Sequence, residues 1–437
     1  MQSIIIAGAG HAGLVAAAKL AANGFSVIVF EKDKRENLGH DWEDRFSFEL
    51  LEKITGKSTK VFPDGSWRYR GDCAFVSPAK RKRVEIFYKG DARQKIMWRK
   101  PLINMLIDNA ISNGAEFNFE ETVLSPVIEN GKVTGIVTDK NTYKADAVID
   151  CLGAFSALRL NLPDEFDIEK EPRHGDVFYS YRAYYKNAEE MNPGIPFEVY
   201  MYHEGEKGLS WCCTNKDTTD ILIGRIDKPD DAKINENLDK MKADHPYFTD
   251  EIIHGGSRVV IPVRRALTLM VAPGYAAAGD SAFMTMPMNG MGIDLSLNAG
   301  LILADVLIKN SGREFSADIL WEYNKRFHKE FGCVAAKNEG LKNAILSLPA
   351  EGVDFLFEND VIQSSDLAGG GRNTSFTSLL GKFGRGMRNP PYFFAIIKGL
   401  IKGAAASKLY SKPPEIFDMN SIRAWSRKIE SKDIVIS

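Results

Sequence analysis

Two glycine-bearing segments hold most of the chemistry legible in this sequence. The first, Gly8-Ala9-Gly10-His11-Ala12-Gly13, follows the apolar run Ser3–Ala7. Each glycine has its own task. Gly8 permits a tight turn out of a strand, Gly10 lets backbone approach a pyrophosphate with no Cβ in the way, and Gly13 lets a helix pack closely on a sheet. Backbone N–H groups at His11 and Ala12 would open that helix, whose positive end faces phosphate. A second apolar run, Ser26–Phe30, ends in Glu31-Lys32, and an acid roughly 20 residues past the first glycines accepts a ribose hydroxyl. The order strand, glycines, helix, strand, acid is a dinucleotide fingerprint. An acid rather than a base at position 31 favours an unphosphorylated ribose, so FAD or NAD rather than NADP.

The second segment is Ala278-Gly279-Asp280-Ser281-Ala282, followed by Pro287-Met288-Asn289-Gly290-Met291-Gly292-Ile293. A carboxylate just after a strand accepts a sugar-alcohol hydroxyl. The Pro-x-x-Gly-x-Gly turn exposes N–H groups and opens a further helix. Between the two segments, His40, Asp41 and Asp44 stand in the loop after the second strand as candidates for proton transfer, with a structural turn around Trp42 as the competing reading.

The elements that must carry these residues follow from periodicity. Helical spacing over 101–113 ends at Asn113-Gly114. Strands are expected at 116–120, Lys132–Thr138 and 147–151, with an Asn130-Gly131 hairpin turn before the second of them. The stretches 74–89 and 177–225 are rich in Tyr, Phe, Val and Trp and read as an antiparallel sheet. Ser257 onward returns to nucleotide-domain texture, with a strand at 275–278 and helices at 292–309 and 317–347. The expected fold class is α/β. A discontinuous Rossmann-type dinucleotide-binding domain occupies 1–70, 93–173 and 257–345. An inserted antiparallel-sheet substrate domain takes 71–92 and 174–256, and a C-terminal helical region takes 346–437, with a flexible Gly369-Gly370-Gly371 run.

Bulk properties narrow the class. The 437 residues are 44% apolar and 26% charged, with a net charge of −2, which gives no reason to expect nucleic acid. Five cysteines show no zinc-like Cys/His spacing, so no metal is expected, and their odd number fits a reducing cytoplasm. The N-terminus has no positive leader, and no run reaches the ~18 apolar residues of a membrane span.

Gly8–Gly13 with Glu31, Ile261-Pro262, Gly279-Asp280-Ser281-Ala282 and Pro287…Gly290-Met291-Gly292-Ile293 resemble the FAD enzymes of the p-hydroxybenzoate hydroxylase fold, and within them the geranylgeranyl reductase family. Three details match the reductase branch. Phe283 stands where aromatic hydroxylases carry a histidine, Ala299-Gly300 follows the Gly-x-Gly-Ile turn, and Gly208-Leu209-Ser210-Trp211 falls where reductases have a Tyr-x-Trp-x-Phe-Pro strand. Two departures stand beside them. Only Trp211 of that strand is retained, and the family's middle Ala-Asp-Gly appears as Cys151-Leu152-Gly153, with Ser156 and Arg159 kept downstream.

The resemblance implies FAD as cofactor, reduced by NAD(P)H or a ferredoxin, and saturation of double bonds in a polyprenyl lipid. It places Gly8, Gly10, His11, Ala12, Gly13, Glu31, Lys32, Arg99, Gly279, Asp280, Gly290, Gly292 and Ile293 at the cofactor, Arg99 being the arginine the family sets near the flavin. It brings the loop of His40 and Asp41 towards the ring system. Trp211, Cys212, Pro287 and Met288 become walls of an apolar substrate pocket, with Met284, Met286 and Met291 nearby. The alternatives are a flavin monooxygenase acting on an aromatic or polyketide-like substrate, and a prenyl-binding protein without catalysis.

Residues 382–412 hold seven basic residues and no acid, interleaved with aromatic and aliphatic side chains. This pattern predicts either peripheral contact with the inner face of a membrane or a packing helix with a solvated basic face. Lys80-Arg81-Lys82-Arg83 reads as a hairpin tip rather than a nucleic-acid patch.

Overall fold

A computed structural model describes residues 1–58, 61–89, 94–367, 381–434 and 436; the Gly369-Gly370-Gly371 run lies outside them. The apolar runs of the N-terminal third become the centre of a six-stranded sheet. Its order is Val271–Ala272, Tyr275–Ala277, Ala147–Asp150, Ser3–Ala7, Ser26–Phe30, Glu116–Asn118. Ile5 registers with Val148 on one side and Ile28 on the other, and the pairings are parallel except at the short edge strand Val271–Ala272. Strands covered on both faces are apolar throughout rather than alternating; Ile4, Ile5, Ile6, Val27, Val29, Val148 and Ile149 are all buried. Helix His11–Ala21 packs between Arg99–Ser112 and Ile293–Lys309. Asn130 and Gly131 both take positive φ, 49° and 71°, and join the antiparallel strands Val123–Glu129 and Lys132–Thr138, as a two-residue hairpin requires.

The aromatic stretches form a second sheet of seven strands, in the order Phe248–Pro262, Val177–Asn187, Thr218–Arg225, Gly208–Thr214, Phe197–Met201, Cys73–Val76, Arg83–Ile86. Two features differ from the sequence reading. The pair Phe197–Met201 and Cys73–Val76 is parallel, because the two insertions reach the sheet from separate parts of the chain and no hairpin constrains their joint. The edge strand also runs unbroken through Ser257 to Pro262, so these residues stay in the second sheet. Helix Asp231–Asp244 covers one face of this sheet, burying Ile234 and Met241 against Ile221, Ile223 and Cys212. The other face looks towards the dinucleotide sheet.

The expected helix over 317–347 is two helices, Ala317–Phe327 and Cys333–Leu346, joined by a π turn at His328–Gly332. The wider turn shifts the buried stripe, so the second helix packs on Pro390–Tyr410 instead of the sheet. That contact is backbone against backbone: a Cβ on Gly340 would stand 2.5 Å from the Gly399 carbonyl oxygen and 2.6 Å from Gly403. The basic hairpin tip is confirmed at 80–83, its charges paired with Asp244, Asp354, Glu358 and Asp360.

Candidate functional site

The first glycine segment builds one end of a cavity of about 990 Å³. Gly8 leaves strand Ser3–Ala7 at φ 91° and donates its N–H to the Phe30 carbonyl at 2.8 Å; a Cβ there would lie 2.6 Å from the Cys151 carbonyl oxygen. A Cβ on Gly13 would meet Ile6 at 2.8 Å. Neither glycine lines the cavity. Ala9, Gly10, His11 and Ala12 do. Gly10 caps helix His11–Ala21 without a side-chain acceptor, and the first turn holds no acid, so the positive helix end is left to an anion.

Glu31 and Lys32 also line the cavity. The Ala9 N–H donates to one Glu31 carboxylate oxygen at 2.9 Å and the Asp33 N–H to the other at 3.1 Å. The carboxylate thus ties the glycine turn to the end of the second strand, and each oxygen keeps a further lone pair for a hydroxyl.

The second segment closes the cavity from the other side. Gly279 at φ 68° turns the chain out of Tyr275–Ala277, and Asp280 follows. Burial pushes the Asp280 carboxyl up to about 6, with Arg99 opposing. Residues 287–293 line the cavity as one continuous run, ending where Gly292 opens helix Ile293–Lys309. Met288 and Met291 face the cavity, whereas Met284 and Met286 are core.

Charged groups fill the middle. Arg99 donates to Asp44 at 2.6 Å, Arg182 approaches the other Asp44 oxygen at 3.8 Å, and Arg182 pairs with Asp220 at 2.7 Å. Arg68 grips Glu43 through two hydrogen bonds of 2.6 and 2.8 Å. Burial works against ionisation of Asp44, but Arg99 and Arg182 hold it below the usual carboxylate range. Burial, assisted by Arg99, presses His11 down to about 3 and His40 down to about 4, so both rings are neutral at pH 7. His40 stacks on Trp42 at 4.2 Å, and Asp41 lies 3.1 Å from His254 and 3.5 Å from Lys100. The loop is therefore both a packed turn and a cavity wall. Arg182 and Asp220 were not singled out from sequence; their signal is a charge set inside each of two strands whose other charged residues, Lys186 and Arg225, stand at or next to the strand end.

The far end is apolar. Trp211 and Leu209 line it from the second sheet, and Cys212 does not. Alternation along Gly208–Thr214 turns Cys212 to the opposite face, against Ile221, Ile223 and Met241, and brings Cys213 to the cavity. The expectation that Cys212 walls the pocket is corrected on this ground. Pro287, Met288, Leu341, Ile345, Leu346, Leu356, Val361 and Ile396 continue the wall, on which Lys342 and the Lys382–Asp366 ion pair also stand.

The residues present fit an extended dinucleotide. His11 Nε2 is a buried nitrogen with no partner among the described residues. Desolvation raises the Asp280 carboxyl to about 6, and an unshielded helix end lies on the same cavity. The cavity's volume sits at the top of the usual ligand range, leaving room beyond a nucleotide for a second molecule.

Comparison with known proteins agrees with this geometry. A family model described as an FAD binding domain matches residues 1–330. The chain is 26% identical to the digeranylgeranylglycerophospholipid reductase of Haloferax volcanii over 74% of its own length and 81% of that protein. Its fold resembles the geranylgeranyl bacteriochlorophyll reductase-like protein of Thermoplasma acidophilum (TM-score 0.74, 17% identity, 91% of this chain and 99% of that one). It also resembles the myxobacterial chondrochloren halogenase, described as a variant of FAD-dependent halogenases (TM-score 0.63, 13% identity, 99% and 97%). With three quarters of its length inside the match, the chain belongs to the FAD binding domain family of flavoproteins.

Proposed function

We propose that this FAD-dependent oxidoreductase saturates carbon–carbon double bonds in the tail of a polyprenyl lipid. The observation that carries the reading is the single cavity that joins the glycine turns to an apolar end walled by Trp211, Ile345, Leu346, Leu356, Val361 and Ile396. The reductase names of the sequence relatives support it. In this reading the N–H groups of Gly10, His11 and Ala12 hold the pyrophosphate. Glu31 and Asp280 accept sugar hydroxyls, and the 290–293 turn borders the ring system with its helix N-terminus. Held there and reduced by NAD(P)H or a ferredoxin, FAD would supply the hydride for an alkene carbon.

The protein's own work is orientation and exclusion of water. Trp211 and the aliphatic wall hold a flexible chain in a dry channel, while the Arg99–Asp44 and Arg182–Asp220 pairs fix the polar middle. The second alkene carbon needs a proton. His40, neutral at pH 7, holds no imidazolium to give, which leaves Asp41, on the cavity wall and 3.1 Å from His254, as the candidate donor of that loop.

The test is anaerobic incubation of chemically reduced enzyme with a prenyl lipid, followed by mass spectrometry. A gain of about two mass units per reduced bond is expected; unchanged lipid with reoxidised flavin would refute the reading. The charged middle favours one rival, oxygenation of an aromatic substrate, since Arg182 and Arg68 could hold a phenolate. Oxygen uptake stimulated by a phenol, without lipid saturation, would select it. Purified protein that stays colourless after addition of FAD would leave only the non-catalytic prenyl-binding reading.

A further inference from the structure

We infer that the outer face of residues 383–408 docks on an anionic lipid bilayer. Phe383, Met387, Phe394 and Ile401 enter the interface, and Arg388, Lys398 and Lys408 lie at the headgroups. The inference rests on the proposed lipid reading only for what the surface delivers; the contact itself follows from the helix.

Helix Pro390–Tyr410 has two apolar faces. The inner one buries Phe393, Ile396, Leu400 and Tyr410 against the body of the protein, and Ile396 reaches through to line the apolar end of the cavity. The outer one is apolar and has no cover among the described residues. Phe394 is 50% exposed and Ile401 56%; Phe383 and Met387 of the lead-in turn are exposed as well, the Phe383 ring resting edge-on against Phe393. Phe394 and Ile401 are seven residues apart, about 10 Å along one side of the helix, with half-buried Ile397 and exposed Lys398 between them. Large apolar side chains gathered on one face rather than scattered mark an interaction surface.

Charge selects the partner. No acid occurs from 382 to 412. Of the seven basic residues two serve the fold: Lys382 is buried against Asp366, and Lys402 donates to the Asp433 carbonyl at 2.6 Å. Arg388, Lys398, Lys408 and Lys412 are exposed, and among the described residues Arg388 meets a neutral amide oxygen, that of Asn359 at 3.1 Å. A helix with apolar side chains flanked by such cations lies in the plane of an anionic interface, its apolar residues ~5–10 Å deep. Among the described residues no helix is long and apolar enough to cross a membrane, so the contact is along the surface. One helix then has a bilayer outside and the cavity inside, which places a lipid tail one helix thickness from the apolar end of the site.

The experiment uses the full-length flavoprotein and flotation with vesicles of phosphatidylcholine alone or containing phosphatidylglycerol. Binding is expected to the anionic vesicles and to weaken with salt. The exposed double variant F394E/I401E should lose binding about tenfold or more, with circular dichroism and flavin absorbance unchanged. K398E/K408E should remove only the preference for anionic lipid, again about tenfold. Equal partitioning of wild type and F394E/I401E would overturn the inference. So would a dimer in light scattering that F394E/I401E dissociates while vesicle binding stays the same, which would make the face a contact between copies. Turnover on a detergent-dispersed prenyl substrate separates the two readings: if docking fails, that turnover persists in the wild type, and if the proposed reaction fails, vesicle binding persists without it.

Discussion

Replacing Asp280 by Asn should stabilise the flavin-free protein and weaken its hold on FAD. Burial lifts the carboxyl from 3.8 to about 6, with only partial relief from Arg99. A carboxyl whose folded pKa is raised binds its proton more tightly in the native chain. Its favourable contribution is therefore complete below about pH 4 and is lost as the pH rises through 6. Above that range ionisation costs about two pK units, or about 3 kcal/mol. An amide of the same shape carries no such cost. With an unfolding entropy of about 2.1 cal/mol/K per residue, the gain over 437 residues corresponds to roughly 3 °C in the melting midpoint at pH 8. At pH 4, where the native carboxyl is protonated, the two midpoints should converge. FAD affinity, read by quenching of flavin fluorescence, should fall about tenfold or more, because a charge-assisted hydrogen bond of about 1.5–3 kcal/mol becomes a neutral one. A variant that melts at or below the wild type at pH 8 would refute the burial argument. Unchanged FAD affinity would remove Asp280 from the cofactor's partners.

Gly8→Ala and Gly10→Ala should separate folding from binding. A Cβ on Gly8 meets the Cys151 carbonyl at 2.6 Å from a positive-φ backbone, so the apoprotein should lose at least about 2 kcal/mol in urea unfolding, whereas Gly10→Ala, whose nearest contact is 3.3 Å, should leave stability within about 1 kcal/mol and lower FAD affinity. Cys213→Phe should narrow the cavity and slow turnover of long-tailed substrates at constant FAD content. Cys212→Ala should cost about 1–2 kcal/mol of stability and leave substrate selectivity alone; the reverse outcome would mean that the strand's faces are misassigned. Arg99→Ala should raise the His40 pKa from about 4 towards, but not to, 6.5, as NMR titration would read it, because burial remains after the neighbouring charge is gone.

What the sequence made legible was local. The turn from strand Ser3–Ala7 into helix His11–Ala21 is written in three glycines at fixed spacing, and the Asn130-Gly131 hairpin in two residues that tolerate positive φ. The second sheet was readable as strands but not as an arrangement. Nothing near Cys73 specifies a parallel partner more than 120 residues away. The phase of strand Gly208–Thr214 was equally hidden, since sliding it by one residue exchanges Cys212 and Cys213 between faces. Arg182 and Asp220 sit on neighbouring strands, and their pairing exists only once those strands lie side by side. The π turn at His328–Gly332 carries no proline or glycine pair to announce it; its cause is the burial of His328 beneath Thr268 and beside Tyr410.

The boundary between what family membership explains and what it does not falls inside the cavity. The matched region ends at residue 330, and the dinucleotide end, built from Ala9–Ala12, Glu31, Asp280 and the 287–293 run, lies within it. The apolar end is divided: Leu209, Trp211, Pro287 and Met288 lie within the match, and Leu341, Ile345, Leu346, Leu356, Val361 and Ile396 lie beyond it. The latter are carried by helices that meet backbone to backbone at Gly340, Gly399 and Gly403 and are tied to the matched part by the buried Arg265–Glu339 pair and by Tyr410, which donates to the Ala266 carbonyl at 2.8 Å. Lys342 adds a further tie: its buried ammonium, pushed down to about 8 by desolvation, is fixed on the carbonyls of Gly175 and Val263 at 2.8 Å each. If the C-terminal helices set the substrate while the matched part holds the cofactor, the two ends can be exchanged independently. Exchanging the residues from 333 onward for those of another family member should change the substrate and preserve the flavin; loss of flavin from such a chimera would show that the two ends of the cavity are not separable.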